Sequence, residues 1–261
     1  MRFASYLKGA VSNRRHRHHK GAADFKQKQS TERPFANRED AGRKLATKLL
    51  AYANCPNLLV LALPRGGVPI AYEVARALHA PLDIFLVRKL GVPWNEELAM
   101  GAIATGGVRV LNPEAMSCID LPEAIIDAVA KREQKELERR EHVYRGDRPA
   151  FDVQGRTVIL VDDGLATGAT MRAAVIALRQ MRPLKIVVAV PVAPPESCES
   201  FRREVEEVIC AITPEPFVAV GAWYSDFSQT SDEEVRQLLE RAAQNQGGHS
   251  PTAEPVGEYD G

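Results

Sequence analysis

Continuous apolar runs alternate with amphipathic segments along this chain. Residues 58–63 and 158–161 are entirely aliphatic, which is typical of strands buried on both faces of a parallel sheet. Residues 38–53 instead repeat apolar side chains at helical spacing, which predicts a helix with one buried face. Such patterns predict strands at 58–63, 82–87, 102–104, 108–111, 158–161, 185–190 and 208–212, and helices at 38–53, 68–78, 122–144, 171–181, 196–205 and 232–244.

This order of elements predicts the fold class. Strands that alternate with helices favour an α/β domain in which a mostly parallel sheet is flanked by helices. We expect one such domain over residues 34–245, with a small hood that includes residues 213–230. Residues 88–101 and 214–229 carry glycine, proline or aromatic punctuation, and we expect both to be irregular.

The charge distribution sets the N-terminal tail apart. Residues 1–30 hold eight Lys or Arg against a single acid, Asp24, whereas 26 basic residues face 33 acidic ones from residue 31 onward, a net charge of −7. The acidic domain is therefore a poor general binder of nucleic acid. We expect residues 1–33 to form a basic disordered tail and residues 246–261 to form a second one. Contact of the basic tail with RNA, anionic lipid or a metal, and a role as a transit peptide, are the alternatives.

The cellular location is predicted from what the sequence lacks. No apolar run approaches the length of a membrane span, and the N-terminus has no apolar core of a secretion signal, so we expect a cytoplasmic protein without a membrane partner. Its cysteines have no metal-ligand spacing, and free thiols in a reducing compartment are expected. They are Cys55, Cys118, Cys198 and Cys210.

The segment with the clearest chemistry follows the apolar run 158–161. Two adjacent acids, Asp162 and Asp163, come where that strand should end, and a loop of small residues leads into the next predicted helix. Small residues allow a ligand to approach the backbone, and the amide groups at a helix start favour a phosphate. Two carboxylates nearby suit ribose hydroxyls or a magnesium-bound sugar. The pattern therefore indicates a ribose 5-phosphate ligand, although an ordinary turn with helix-capping acids is the simpler alternative.

This segment resembles the phosphoribosyl-pyrophosphate-binding motif of type I phosphoribosyltransferases. The resemblance implies the fold of that family, a transferase that uses Mg²⁺, a small heterocyclic base as acceptor, and a homodimer. By position, Asp162 and Asp163 hold the ribose and serve the metal, while the loop wraps the 5-phosphate. The loop residues concerned are Ala166, Thr167, Gly168, Ala169 and Thr170.

Two further loops leave carboxyl ends of predicted strands, and ligands of open α/β sheets bind at such ends. Pro64-Arg65-Gly66-Gly67 resembles the pyrophosphate loop of hypoxanthine-guanine phosphoribosyltransferases, where a non-proline cis peptide occupies the place of Pro64–Arg65. The resemblance implies that Arg65, Gly66 and Gly67 bind pyrophosphate; a Gly-Gly turn with a surface arginine is the alternative.

Arg88 and Lys89 begin the second loop, which in the family closes over the reacting centre. The resemblance implies that one of them neutralises the departing pyrophosphate; two ordinary surface cations are the alternative.

The third loop, at 214–229, resembles the hood of purine-type family members. Phe217 matches the position where an aromatic ring stacks on the base, with Trp223 and Tyr224 as competitors. Asp226 is the candidate for the metal side, with a one-residue offset. Local packing of these aromatic residues is the alternative.

One position departs from the purine enzymes. Ala166 stands where those enzymes carry an aspartate that handles a proton on the base, so this route of acid–base catalysis is missing. A transferase is the first hypothesis. A phosphoribosyl-pyrophosphate or nucleotide sensor of the same fold is the second, and a hydrolase that lets water attack the sugar is the third.

Overall fold

The computed structural model describes residues 35–112, 116 and 121–246. The expected tails at 1–33 and after residue 246 lie outside the described residues. The strands are β1 (Leu58–Ala62), β2 (Leu82–Ile84), β3 (Val87–Val92), β4 (Asn95–Ala104), β5 (Val108–Leu111), β6 (Thr157–Val161), β7 (Lys185–Val192) and β8 (Glu207–Ile212). The helices are α1 (Arg38–Lys48), α2 (Gly67–Leu78), α3 (Glu123–Arg145), α4 (Ala169–Gln180), α5 (Pro195–Phe201) and α6 (Asp232–Gln246).

A five-stranded parallel sheet forms the centre, in the order β2-β1-β6-β7-β8. Alternate side chains of the strands enter two different apolar clusters. Val60 belongs to the cluster that includes residues of α1, α2, α3 and α6, and Leu59 belongs to the cluster that includes residues of α4 and α5. Burial on both faces explains the continuous apolar runs in the sequence. The predicted α/β fold with a mostly parallel sheet flanked by helices is confirmed. No helix among the described residues is long and apolar enough to cross a membrane.

The register of β1 and β6 positions the site. These neighbouring strands are parallel, and Ala62 lies opposite Val161 at their carboxyl ends. The loops that follow the two strands therefore leave the sheet side by side.

A second, antiparallel sheet corrects the expectation for residues 88–101. In place of an irregular loop, β3 and β4 form a hairpin that continues into β5. The register shifts around Gly91, which interrupts the two-residue alternation that would have identified a strand. The single strand predicted at 82–87 is likewise divided, because the chain leaves the parallel sheet after Ile84 and enters the second sheet at Val87.

Two smaller expectations also need correction. The first helix ends at Lys48, and a single 3₁₀ turn, Leu50–Tyr52, covers the rest of the predicted span. Cys198 and Cys210 form a disulfide between α5 and β8, so the expectation of free thiols is wrong for this pair. Cys55 is free and exposed, and Cys118 lies outside the described residues.

A buried ion pair attaches the end of α3 to strand β2 of the central sheet. Nε of Arg145 donates to Oδ1 of Asp83 on β2 over 3.0 Å, and each side chain is only 7% exposed. We expect Arg145→Met to lower the free energy of unfolding by about 3–5 kcal/mol, because a carboxylate would remain buried without its cation. Arg139→Met, on the exposed face of the same helix, should leave the free energy of unfolding almost unchanged, because solvent screens its pair with Glu136. Urea unfolding of both variants measures the difference, and equal losses would contradict the prediction.

Candidate active site

The acidic pair lies at the carboxyl end of β6, as the sequence predicted. Asp162 and Asp163 are both half-buried, and the backbone N–H of Asp163 donates to Oδ1 of Asp162 over 2.8 Å. This bond fixes the direction of the Asp162 carboxylate.

Residues 64–67, which follow β1 and are called the arginine turn below, are in direct contact with this pair. A Cβ atom placed on Gly66 would lie 2.0 Å from Oδ2 of Asp163, and one on Gly67 would lie 2.7 Å from the carbonyl oxygen of Val161. A side chain at position 67 would therefore displace the backbone of the strand end, and one at position 66 would push the Asp163 carboxylate aside. The peptide bond between Pro64 and Arg65 is cis. The structure thus brings the predicted arginine turn and acidic pair together.

The loop between β6 and α4 keeps an open, ligand-accessible shape. Gly168 has φ of 70°, and a Cβ at this position would lie 2.5 Å from the ring of Phe201. Buried Leu165 anchors the loop, and its N–H donates to the carbonyl of Val192 over 2.9 Å. The start of the loop is therefore fixed against β7 by this hydrogen bond and by the burial of Leu165. Ala166, Thr167, Ala169 and Thr170 are exposed, whereas Gly168 is half-buried.

Arg65 borders an open cavity of about 420 Å³ beside the acidic pair, together with Gly66 and Phe227. Its guanidinium lies 3.6 Å from Oδ1 of Asp232 at the start of α6. Both side chains are more than one-third exposed, so solvent screens this contact. A phosphate in the cavity could compete for the guanidinium.

Arg88 and Lys89 lie on opposite faces of β3. Arg88 lines a second cavity with Pro64 of the turn after β1 and Thr170 of the predicted phosphate loop, residues 166–170. Its Nε donates to the buried Glu133 on α3 over 2.6 Å, so its charge is already partly compensated. Lys89 is exposed on the other face of the strand. Their predicted role at the leaving pyrophosphate stays a prediction.

The hood is assembled from two distant parts of the chain. Residues Phe35 and Ala36 run alongside residues 223–226: the N–H of Phe35 donates to the carbonyl of Trp223 over 2.6 Å, and that of Asp226 donates to the carbonyl of Ala36 over 2.9 Å. Tyr224 then anchors the hood on the site, because its hydroxyl donates to the backbone carbonyl of Asp163 over 2.6 Å.

The candidate aromatic residues of the hood are half-buried. Phe217 and Trp223 pack against the same apolar cluster beneath the hood, while the neighbouring Val218 is 80% exposed. Nε1 of Trp223 is buried without a hydrogen-bond partner among the described residues. The stacking of one of these rings on an acceptor base stays a prediction.

Asp226 lies on the exposed side of the hood. Its Oδ1 accepts the N–H of Ser228 over 2.9 Å, and this bond holds the pKa of Asp226 below its ordinary value. In the part of the chain that the structure describes, no group of three or more His, Cys, Asp or Glu side chains is arranged to hold a metal ion. The predicted metal role of Asp226 therefore stays a prediction.

One site residue was missed by the sequence analysis. Arg38, the first residue of α1, donates from Nε and Nη2 to Oδ2 of Asp163 over 3.1 and 2.8 Å. In sequence it is an ordinary charged residue at a helix start, 125 positions away from its partner. Only the tertiary structure brings the two together.

The two acids differ in their electrostatic surroundings. Burial and the neighbouring Asp163 raise the pKa of Asp162 well above its ordinary value of 3.8, and Arg38 only partly opposes this shift. Asp163, by contrast, has a guanidinium on its carboxylate. Among the described residues, the two carboxyl groups of the acidic pair thus share one basic side chain in direct contact, and it bonds Asp163.

Comparison with known proteins identifies the family. Residues 34–222 match the family model described as the phosphoribosyl transferase domain. Since the match covers most of the chain, this protein belongs to that family.

Relatives agree with this assignment. A protein of Mycobacterium tuberculosis H37Rv, named "putative phosphoribosyl transferase", is 48% identical over 208 residues, which cover 80% of this chain and 47% of the relative. A "bifunctional protein PyrR" of Deinococcus deserti is 32% identical over 136 residues, covering 50% of this chain and 73% of the relative. The crystal structure of TT1426 from Thermus thermophilus matches with a TM-score of 0.71 and 44% identity, over 80% of this chain and 98% of that one. The chain thus spans about half the length of the mycobacterial relative.

The raised pKa of Asp162 leads to a test of stability. Because the folded state holds the proton more tightly than the unfolded chain, the neutral carboxyl stabilises the ligand-free protein at acid pH, and this contribution is lost as the pH rises above 3.8 through the raised pKa. Asp162→Asn keeps the acceptor oxygen for the N–H of Asp163 but never ionises. We expect its melting temperature to match the wild type at the acid end and to exceed it increasingly towards neutral pH.

Thermal melts across that pH range measure the effect, with the exposed loop residue Asp152 changed to Asn as the control. A variant less stable than the wild type at neutral pH would show that Asp162 is stabilised as an anion.

Proposed function

We propose that this protein transfers the 5-phosphoribosyl group from phosphoribosyl pyrophosphate to a nitrogenous base and releases pyrophosphate. The contact between Gly66 and the carboxylate of Asp163 carries the proposal. It puts a turn suited to pyrophosphate beside a pair suited to a diol, and the phosphate loop continues directly from that pair.

The reaction breaks the bond between the anomeric carbon and pyrophosphate, and a base nitrogen forms the new bond to that carbon. Negative charge grows on the leaving group, and Arg65 on the open cavity supplies a cation there. Asp162 and Asp163 orient the ribose through its hydroxyls, while the amides of residues 166–170 hold the 5-phosphate. The proton on the attacking nitrogen leaves to solvent, since Ala166 offers no titratable group.

The acidic pair fits a magnesium ion. Mg²⁺ commonly takes one or two carboxylates and completes its octahedron with water and substrate phosphate oxygens, so two aspartates suffice. The raised pKa of Asp162 supports this, since a nearby cation would relieve the repulsion that causes the shift. When bound, the ion would neutralise pyrophosphate oxygens.

The β3–β4 hairpin is our candidate for the part that excludes water from the cationic sugar. Lys89 lies on it, and Trp94 near its tip is 68% exposed, so the hairpin has an aromatic ring available for contact.

We also propose a cytoplasmic location and a homodimer.

A non-catalytic sensor is the alternative that a specific residue favours. Ala166 is exposed, and its carbonyl accepts the Ser197 hydroxyl over 2.8 Å, so the position gives the base no acid or base group. A sensor would bind the donor by the same contacts without turnover.

Donor binding is the first test. Asp162→Asn combined with Asp163→Asn should weaken the binding of phosphoribosyl pyrophosphate and magnesium by roughly 100-fold or more, because at least two charge-assisted contacts are lost. Calorimetric titration measures the affinity, and the exposed pair Asp147→Asn with Asp152→Asn removes the same charge as a control. Unchanged affinity in the first variant, with its fold intact by circular dichroism, would refute the proposed site.

Product analysis separates the three activities. We expect pyrophosphate release that depends on one base from a panel of purines, pyrimidines and other nitrogen heterocycles. Saturable donor binding without release would favour the sensor, and ribose 5-phosphate formed without any added base would identify a hydrolase.

A further inference from the structure

Arg38 contacts both the acidic pair and the hood. Its guanidinium bonds Oδ2 of Asp163 twice, from Nε and Nη2, and the two side chains are only 12% and 19% exposed. Two hydrogen bonds from a planar guanidinium to one oxygen of a mostly buried carboxylate fix the rotamer of that carboxylate and stabilise its negative charge.

The same guanidinium also holds the hood. Nη1 of Arg38 donates to the backbone carbonyl of Ser228 over 2.6 Å, and the plane lies 4.0 Å from the ring centre of Phe227. Hood and donor site therefore share one side chain, which comes from neither the acidic motif nor the hood.

The contacts also divide the work between the two acids. The bonds from Arg38 converge on Oδ2 of Asp163, the oxygen that a Cβ on Gly66 would meet. Oδ2 is thus enclosed between the arginine turn and Arg38. Asp162 makes no such bond to a basic side chain among the described residues, so the direct contact with Arg38 belongs to Asp163.

We propose that Arg38 is a positioning residue for phosphoribosyl transfer: it holds Asp163 in the orientation that the donor needs and joins the hood to the acidic pair. This role rests on the proposed function. Arg38 acts through Asp163, so removing Arg38 should matter little once the Asp163 carboxylate is gone.

A double-mutant cycle in donor binding tests this. We expect Arg38→Ala to weaken binding of phosphoribosyl pyrophosphate with magnesium by about 10- to 100-fold, the range for lost charge-assisted contacts. Arg38→Lys keeps the charge but not the fork or the stacking, and should recover part of that loss. Arg38→Ala combined with Asp163→Asn should bind about as weakly as Asp163→Asn alone, because the two residues act as a unit.

Arg43→Ala is the matched control, since this arginine lies on the same helix, is 51% exposed and points to Glu39 and Glu73. It should bind donor like the wild type, and its effect should add to that of Asp163→Asn. Circular dichroism and thermal melts confirm that each variant is folded.

The outcomes separate the two proposals. Wild-type affinity in folded Arg38→Ala, or effects of Arg38→Ala and Asp163→Asn that simply add, would overturn the positioning role alone. A wild-type protein that binds no donor would overturn the proposed function itself, and the positioning role with it.

Discussion

The close approach of one backbone turn to the end of one strand decides the geometry of this site. β1 and β6 are parallel neighbours in register, so the turn after β1 must pass beside the acids that follow β6. Glycine at positions 66 and 67 removes the side chains that would displace Asp163 and Val161. The predicted phosphate loop follows the same two acids, so this contact also positions its start beside the arginine turn.

Charge compensation is incomplete at this edge of the sheet. Two carboxylates share a half-buried place, and the guanidinium of Arg38 contacts one of them. The remaining imbalance appears as the raised pKa of Asp162. The proposed magnesium ion would relieve this imbalance.

The hood shows how distant segments complete one site. Phe35 and Tyr224 form a parallel bridge with rings 5.4 Å apart, and the Tyr224 hydroxyl reaches the backbone of Asp163. Residues 35 and 36 are thus part of the hood, together with residues 223–226. Arg38 comes three residues after Phe35, so the bridge brings the start of the first helix close to the acidic pair.

The sequence alone determined the parallel sheet, the acidic pair and the two loops beside it, because each is local: an apolar run, two adjacent acids, and glycines at a strand end. The tertiary structure alone decided three other features. Arg38 pairs with an acid 125 residues away, Arg88 turns to Glu133 rather than to open solvent, and Cys198 meets Cys210 across a helix and a strand. The β3–β4 hairpin also escaped prediction, since its register shift hides the alternation of a strand. Long-range pairings leave no periodic trace in a chain, because they depend on how the elements pack and not on neighbouring residues.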